Sequence, residues 1–247
     1  MLKNLFSRSN PASSLADFSR VGTDMHSHFI PGIDDGAQTL EDSLQMIQKM
    51  HLMGFTKLIT TPHIQAEYFK NTPEIILAGL EKLREAIALE GIPMKVEAAA
   101  EYLLDDGFDE KLNAGNLLTF SDNYILVEMS YYSPHPNLKT FIFNLQVEGY
   151  KVILAHPERY TYWFNDLGKY EDLKQRGVYF QINTVSLAGY YPEPIKKFAE
   201  KLIEKDMIDF IGSDMHNMRY MDALERSMKE KALGRLVNSG KLLNGTL

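Results

Sequence analysis

The sequence predicts a single α/β domain built as a parallel β/α barrel, and three observations support this fold class. Seven strand-like runs alternate with helix-like runs from residue 21 onward. The strand-like runs are short and almost wholly apolar, as is typical of parallel strands that are buried on both faces. The chain also lacks a glycine-rich dinucleotide-binding loop, which favours a barrel over an open, doubly wound sheet.

The strands are predicted from short runs rich in Ile, Val, Leu, Tyr and Phe. The seven runs are VGTDM (21–25), FTKLITT (55–61), MKVEAAA (94–100), YILVEM (124–129), KVILA (151–155), VYFQI (178–182) and MIDFIG (207–212). Between the third and fourth runs, residues 105–121 contain two glycines and the turn signals DD and SDN. We therefore expect irregular structure over that segment.

Helices are predicted between the strands from capping residues and from the spacing of apolar side chains. Thr39 is expected to cap a first helix, whose apolar residues recur at helical spacing up to Gly54. Thr72 followed by Pro73 predicts the start of a second helix. Further helices are expected near residues 137–148, 168–176, 194–204 and 221–237.

The composition is that of an ordinary globular protein, with 247 residues of which 45% are hydrophobic and 24% charged. The net charge of −7 argues against a general affinity for nucleic acid, and so against a nuclease. The absence of cysteine excludes disulfides, thiolate zinc sites and a cysteine nucleophile, and is consistent with a reducing, cytoplasmic location.

The amino terminus is predicted to lie outside the barrel. Residues 1–20 are mildly basic and polar and lack the apolar centre of a signal peptide, so we expect a flexible arm or a short docking helix. The barrel domain is expected over residues 21–247. Because there is no apolar run of about 18 residues, no membrane span is expected.

Nine side chains that suit metal binding occur at or just beyond the ends of the predicted strands. They are His26, His28, Asp35, His63, Glu101, Glu128, His156, Asp214 and His216. The carboxyl ends of the strands form the active site of parallel barrels. Each residue alone has an ordinary explanation as a turn, capping or solvated residue, but six of seven predicted strands carry such a group. The joint pattern predicts a metal site, and only strand six ends in a poor ligand, Asn183.

The donor types limit the metal and the chemistry. Histidine and carboxylate without sulfur suit Mn²⁺, Fe²⁺ or Zn²⁺, and Mg²⁺ less well. Nine donors are too many for one ion, so two or three divalent ions are expected. Such clusters activate a hydroxide and hold the attacking and leaving oxygens of an in-line displacement, which predicts metal-assisted hydrolysis.

Two arginines and a set of aromatic residues lie near these donors. Arg159 in HPERY and Arg219 in DMHNMR are predicted to bind phosphate oxygens, although either could form a surface salt bridge instead. The aromatic residues that follow the strands are Tyr68, Phe69, Tyr131, Tyr132, Tyr160, Tyr162, Trp163, Tyr190 and Tyr191. Most are expected to pack within loops, but together they could form an apolar mouth for an aromatic phosphoester.

The segments DMHSHFIPGIDDG, TTPH, AAAEYLL, LVEMS, AHPERY and SDMHN together resemble the PHP (polymerase and histidinol phosphatase) superfamily. Within it, they are most similar to the metal-dependent protein-tyrosine phosphatases encoded with bacterial capsule and exopolysaccharide genes. The resemblance extends from residue 23 to about residue 220. It implies a distorted seven-stranded β/α barrel with three metal ions, for which Mn²⁺ is the leading candidate.

The resemblance also implies a role for each donor. The first metal would take His26, His28, Glu101 and Asp214, the second Glu101, Glu128 and His156, and the third Asp35, His63 and His216. Arg159 and Arg219 would match the phosphate-binding arginines. The implied substrate is a phosphotyrosine protein, typically an autophosphorylated tyrosine kinase that controls polysaccharide polymerisation or export.

Two alternatives remain open at this point, and the oligomeric state is not indicated. The first is a small-molecule phosphatase of the same superfamily, such as a histidinol-phosphate phosphatase, which would have a closed and polar pocket. The second is a catalytically inactive interaction module that the metals stabilise. Rates on phosphotyrosine peptide and on histidinol phosphate, measured with added Mn²⁺, would separate these alternatives.

Overall fold

In a computed structural model, which describes residues 16–247, the strands lie in two parallel sheets. The nine strands of this part of the chain are β1 (Thr23–Asp24), β2 (Lys57–Thr60), β3 (His63–Ile64), β4 (Lys95–Ala98), β5 (Glu101–Leu103), β6 (Tyr124–Glu128), β7 (Lys151–Ala155), β8 (Tyr179–Asn183) and β9 (Phe210–Gly212). One sheet has the order β1-β2-β4 and the other β3-β5-β6-β7-β8-β9. The α/β class and the parallel pairing are therefore confirmed.

The second and third predicted strands are each divided into two. The chain leaves the first sheet after β2, passes Thr61 and Pro62, and pairs in the second sheet as β3. It does the same between β4 and β5, across Ala99 and Ala100. The expectation that His63 and Glu101 end strands was therefore wrong, because each residue begins a short strand that pairs with the other.

The described residues form nine α-helices, which alternate with the strands over most of the chain. They are α1 (Leu40–Leu52), α2 (Pro73–Leu89), α3 (Phe108–Ala114), α4 (Leu138–Val147), α5 (Leu167–Gln175), α6 (Thr184–Leu187), α7 (Glu193–Glu204), α8 (Met218–Ser227) and α9 (Lys231–Asn238). Thr39 and Asp42 form a reciprocal capping box, and Thr72 caps α2 with Pro73 in its first turn.

Two helix predictions were wrong. Residues 105–121 were expected to be irregular, but they contain α3, which buries only Phe108 and Leu112 and so gives too short an apolar pattern to recognise. The single last helix predicted over 221–237 is two helices. The break falls at Glu230, whose backbone is extended and whose carboxylate accepts a hydrogen bond from Lys196 of α7.

Part of the predicted amino-terminal arm packs against the domain. Residues 18–20 form a turn of 3₁₀ helix, in which Phe18 is fully buried and its ring stacks on that of Phe55 at 4.8 Å. The rest of that arm, residues 1–15, lies outside the described residues. Across residues 16–247, no helix combines the length and the apolar character that crossing a membrane requires.

Candidate metal centre

The structure brings all nine predicted donors together in four overlapping groups of ligand atoms. The groups are His28–Asp35–His63–His216, His26–His28–Asp214, His26–Glu101–His156 and His63–Glu101–Glu128. Atoms within each group lie within 4.8 Å of one another. Residues separated by up to 190 positions in the sequence thus converge on one site, as the strand-end pattern predicted.

Four side chains surround the position expected for a first metal. The Nε2 atom of His26 lies 3.2 Å from Glu101 Oε2 and 3.3 Å from Asp214 Oδ1, and His28 Nε2 lies 3.4 Å from the same Asp214 oxygen. Metal–ligand bonds of about 2.0–2.2 Å place neighbouring ligand atoms about 3.0–3.4 Å apart in octahedral or tetrahedral geometry. The observed separations therefore match the edges of a coordination polyhedron.

Several of these atoms are buried without a hydrogen-bond partner. They are Nε2 of His26, Nε2 of His28 and Oε2 of Glu101, all in side chains with no exposed surface. A buried polar atom left unsatisfied costs about 1–3 kcal/mol, so native structures rarely retain a cluster of them. The residues present therefore fit a bound cation, which would satisfy all three atoms at once.

Two further positions adjoin the first. His156 Nε2 lies 2.9 Å from Glu101 Oε1 and 3.9 Å from Glu128 Oε2. On the other side, Asp35 Oδ1 lies 3.4 Å from His63 Nε2 and 3.3 Å from His216 Nε2. The two oxygens of Glu101 thus face different groups, as a carboxylate that bridges two ions would.

The opposite charges in the cluster stabilise one another. Burial alone would raise the pKa of Glu101, but the positive charges of His26 and His63 outweigh it and hold this pKa well below its usual range. For His28, burial alone would lower the pKa, but Asp34 and other groups raise it to about 10. Glu101 is therefore ionised, as a metal ligand must be.

The backbone is strained at two of the donors. His156 has φ of 35° and Asp214 has φ of 53°, in the left-handed region that L-residues avoid. Such a conformation costs on the order of 1 kcal/mol and persists only where the surroundings impose it, often at functional sites. At both positions it turns the chain sharply where a strand has just ended.

Asp34 was not predicted as a site residue, although it contacts two of the donors. Its Oδ2 atom lies 2.7 Å from His28 Nδ1 and accepts a hydrogen bond from the backbone N–H of His63. A carboxylate on Nδ1 fixes the ring orientation and leaves Nε2 free to bind a metal. The His216 ring is held in the same way by the backbone carbonyl of Asp214, 2.7 Å from Nδ1. The DDG motif contains two adjacent aspartates, Asp34 and Asp35. The sequence alone does not show which of them is the ligand and which supports a ligand.

An open cavity of about 400 Å³ lies above the donors. Seven of the nine donors line it, all except the deeper His26 and His28, and Arg159 lines it as well. The Arg159 guanidinium lies between the rings of Tyr131 and Tyr191, 4.3 and 4.5 Å from their centroids. This sandwich presents a fixed cation beside the donors.

Arg219 is placed differently from Arg159. It is exposed near the start of α8 and lines a neighbouring cavity of about 360 Å³, which shares His216 with the first. Its backbone N–H donates to the capping side chain of Asn217. The structure thus puts Arg159, but not Arg219, in the cavity above the donors, and a phosphate-binding role for Arg219 stays a prediction.

The aromatic residues divide between the cavity and the core. Four of those noted in the sequence line the cavity: Tyr68, Phe69, Tyr131 and Tyr132. Tyr160 is instead fully buried, where its hydroxyl donates to the Ala155 carbonyl and accepts from the Met129 N–H. The expectation that most of these aromatic residues pack within loops therefore holds for Tyr160, which follows β7. It does not hold for the four aromatic residues that line the cavity.

Comparison with known proteins shows the family of this chain. Residues 22–232 match the family described as "Capsular polysaccharide synthesis, CpsB/CapC". The chain belongs to this family. It is 30% identical to the tyrosine-protein phosphatase YwqE of Bacillus subtilis over 197 residues, which are 79% of this chain and 78% of that protein. It is 28% identical to the tyrosine-protein phosphatase CpsB of Streptococcus pneumoniae over 201 residues, 79% of this chain and 83% of that protein.

Solved structures give the same relationship. A chain from the crystal structures of YwqE from Bacillus subtilis and CpsB from Streptococcus pneumoniae, described as unique metal-dependent tyrosine phosphatases, superposes with a TM-score of 0.78. It is 29% identical, and the match covers 90% of this chain and 93% of that chain. An amidohydrolase from Mycoplasma synoviae is similar in fold alone, with 14% identity and a TM-score of 0.51 over 92% of this chain and 88% of that chain.

Proposed function

We propose that this CpsB/CapC family member is a metal-dependent protein-tyrosine phosphatase. The observation that carries the proposal is the cluster of nine donors whose inner atoms are buried without hydrogen-bond partners. Membership of a family whose curated relatives are tyrosine-protein phosphatases supports the same activity. The absence of cysteine leaves no thiolate nucleophile.

The proposed cofactors are two or three divalent ions, with Mn²⁺ as the leading candidate and Fe²⁺, Zn²⁺ or Mg²⁺ as the others. By the family resemblance, the first would be held by His26, His28, Glu101 and Asp214, the second by Glu101, Glu128 and His156, and the third by Asp35, His63 and His216. In the structure the ligand atoms of Glu128 group with those of His63 and Glu101. When bound, such ions supply an activated water and neutralise charge on the phosphoryl oxygens.

The protein's own contribution is to position the phosphoryl group and to offset its charge. Arg159 points a planar guanidinium into the cavity, and the rings on either side of it prevent reorientation. Charge builds up over three equatorial oxygens during phosphoryl transfer, and a preorganised cation on the open side stabilises it. We include Arg219, at the adjoining cavity, as a second and more peripheral phosphate-binding candidate.

The cavity mouth favours a protein substrate over a small molecule. Tyr68 and Tyr132 line it and are 79% and 94% exposed, so aromatic surface is available outside the metal site. A phosphotyrosine ring could rest on such surface while its phosphate reaches the donors. The proposed partner is a phosphotyrosine protein, of which an autophosphorylated tyrosine kinase of a polysaccharide locus is the leading candidate. The cytoplasmic location, with which the absence of cysteine is consistent, belongs to the same proposal.

The proposal includes a distorted seven-stranded barrel as the single domain, from about residue 21 onward. Two features support closure between β1 and β9. Ser27 and Met215 form a parallel bridge at the carboxyl ends of these strands. The Asn244 side chain donates to the carbonyls of Thr23 and Ile211 at their other ends. A separate apolar cluster of Met25, Ile59, Ala99, Phe120, Tyr124, Leu126, Ile153, Ala155 and Phe210 suits a barrel interior.

The activity is tested by comparing rates on three substrates with and without metal. The proposal predicts hydrolysis of phosphotyrosine peptide, much slower hydrolysis of phosphoserine peptide and little hydrolysis of histidinol phosphate. A phenolate leaves readily because its conjugate acid has a pKa of about 10. Preference for histidinol phosphate would support the small-molecule alternative, and no activity with any added divalent ion would support the inactive module.

A further inference from the structure

Strand β8 carries no metal donor, but two of its buried amides lie against the donors of neighbouring strands. Gln181 and Asn183 are both fully buried, and their separation by two positions places them on the same face of the strand. Gln181 Oε1 lies 2.8 Å from His26 Nδ1. Asn183 Nδ2 donates to Asp214 Oδ2 at 2.7 Å, and Gln181 Nε2 donates to Asn183 Oδ1 at 2.9 Å. The two amides therefore connect two of the proposed metal ligands.

The donor and the acceptor in each of these hydrogen bonds can be assigned by starting from Asp214. A carboxylate that binds a metal through one oxygen accepts hydrogen bonds at the other, so Asn183 turns its NH₂ group toward Asp214 Oδ2 and its oxygen toward Gln181. Gln181 must then donate its own NH₂ group to that oxygen, which leaves Gln181 Oε1 facing the His26 ring. An amide oxygen only accepts, so the His26 Nδ1 atom must carry the proton.

The consequence for His26 is that Nε2, and not Nδ1, is the nitrogen that can lose its proton and bind a metal. That atom lies 3.2 Å from Glu101 Oε2 and 3.3 Å from Asp214 Oδ1, at the position proposed for the first metal. Metal-binding histidines are commonly oriented by a carboxylate or a backbone carbonyl on the other ring nitrogen, as Asp34 does for His28. At His26 a neutral amide takes that role, which adds no charge beside Glu101 and Asp214.

We propose that Gln181 and Asn183 are positioning residues for the metal centre. Their hydrogen bonds link Asp214 to His26, keep a proton on His26 Nδ1 and orient His26 Nε2 toward the position of the first metal. The packing leaves the pair little freedom. A Cβ atom at Gly212 would lie 2.8 Å from Gln181 Nε2 and 2.6 Å from His26 Cβ, so glycine is required for this close approach. The Asn183 backbone N–H is also held, since it donates to buried Glu158.

The inference rests on the proposed metal site but not on the substrate. Its first test uses the full chain loaded with diamagnetic Zn²⁺ and labelled with ¹⁵N and ¹³C in histidine. The His26 ring is assigned through its own carbon couplings to the backbone. We expect a proton on Nδ1 of His26 that exchanges slowly with water and a metal-bound Nε2. A proton on Nε2 would overturn the inference. Failure of the parent protein to bind Zn²⁺ at all would overturn the proposed metal-dependent function along with it.

The second test measures Zn²⁺ affinity by competition with a chromophoric chelator. Gln181→Met removes the acceptor and should weaken the tightest site about 10–100-fold and abolish the slowly exchanging His26 proton. Gln181→Glu keeps the acceptor for His26 but loses the donor to Asn183 Oδ1, so it should retain the Nδ1 proton and recover only part of the affinity. Gln146→Met is the matched control, since Gln146 lies on α4 and donates only to the carbonyl of Arg176.

Asn183→Leu separates the two parts of the network. It removes the donor to Asp214 while Gln181 remains, so the Nδ1 proton should exchange faster and the affinity should fall by up to about tenfold. Equal affinity and an unchanged Nδ1 proton in both Gln181→Met and Asn183→Leu would overturn the inference. If neither variant folds, as judged by circular dichroism, the position of the His26 proton in the Zn²⁺-loaded parent and in Gln181→Glu decides the question.

Discussion

Replacing Arg159 with alanine is the most direct test of how the cavity holds a phosphoryl group. In the structure its guanidinium lies 3.3 Å from Asp214 Oδ2 and is sandwiched between Tyr131 and Tyr191. Its side chain is only 19% exposed, so its charge acts with little solvent screening. Because arginine is not a metal ligand, the substitution should remove the proposed phosphate-binding cation and leave the nine donors present.

Two magnitudes follow from this geometry. Removing a preorganised charge donor usually lowers the rate about 10²–10³-fold, which is about 2.7–4 kcal/mol of transition-state stabilisation. The two cation–π contacts contribute about 0.5–1 kcal/mol each and the charged hydrogen bond to Asp214 about 1.5–3 kcal/mol, so the free energy of unfolding should fall by about 2.5–5 kcal/mol. Because this loss is comparable with the loss of transition-state stabilisation, kcat/KM is measured on protein that urea unfolding shows to be folded.

The assay is kcat/KM on a phosphotyrosine peptide with saturating Mn²⁺, combined with metal analysis and urea unfolding. Arg159→Lys should recover only part of the activity, because an ammonium lacks the two-pronged geometry of guanidinium. The control is Arg176→Ala, which removes an exposed arginine paired with Asp172 and should leave kcat/KM unchanged. If Arg159→Ala matched the parent in kcat/KM, Arg159 would have no part in phosphate binding and Arg219 would remain as the only arginine candidate.

Four further outcomes are expected. Exhaustive chelation should abolish activity and Mn²⁺ should restore it; full activity in metal-free protein would exclude the mechanism. Glu101→Ala should lower kcat/KM by more than about tenfold and reduce the number of bound metal ions, because both oxygens of this carboxylate face donors, and normal values of both would show the ligand assignment to be wrong. Tyr191→Leu should lower kcat/KM about 2–5-fold through loss of one cation–π contact, with unchanged metal content, and no change would show that the sandwich is not needed. Phe18→Ala should lower the free energy of unfolding by about 3 kcal/mol in a urea titration, and a loss under about 1 kcal/mol would mean that the Phe18–Phe55 contact is peripheral.

The α/β class, most of the elements and the nine candidate donors could be predicted from the amino-acid sequence alone. Buried parallel strands require continuous apolar runs, and helices carry capping residues, so both are recognisable locally. The strand KVILA is found at its predicted bounds, Lys151–Ala155, and α1 begins directly after the predicted cap Thr39. The donors were recognisable because they follow predicted apolar strands, whose carboxyl ends meet in space, although His63 and Glu101 begin short strands of their own.

Two features could be seen only in the folded structure. They are the distribution of the strands between two sheets and the identity of the polar groups that support the donors. The breaks after β2 and β4 depend on which sheet each segment pairs with, and no local pattern contains that information. Similarly, Asp34, Gln181 and Asn183 looked like a turn residue, a strand residue and a poor ligand in the sequence. Their contacts with His28, His26 and Asp214 span up to 155 positions and exist only after folding.

The two arginines show the same limit. Both lie three residues beyond a donor, Arg159 after His156 and Arg219 after His216. Their spacing from the donors therefore does not distinguish them. The structure separates them because residues 157–159 form a 3₁₀ turn that directs Arg159 into the cavity, whereas Arg219 lies in the first turn of α8 and faces the neighbouring cavity. Sequence spacing specifies which residues are near a strand end, but the direction of each side chain depends on the backbone that follows.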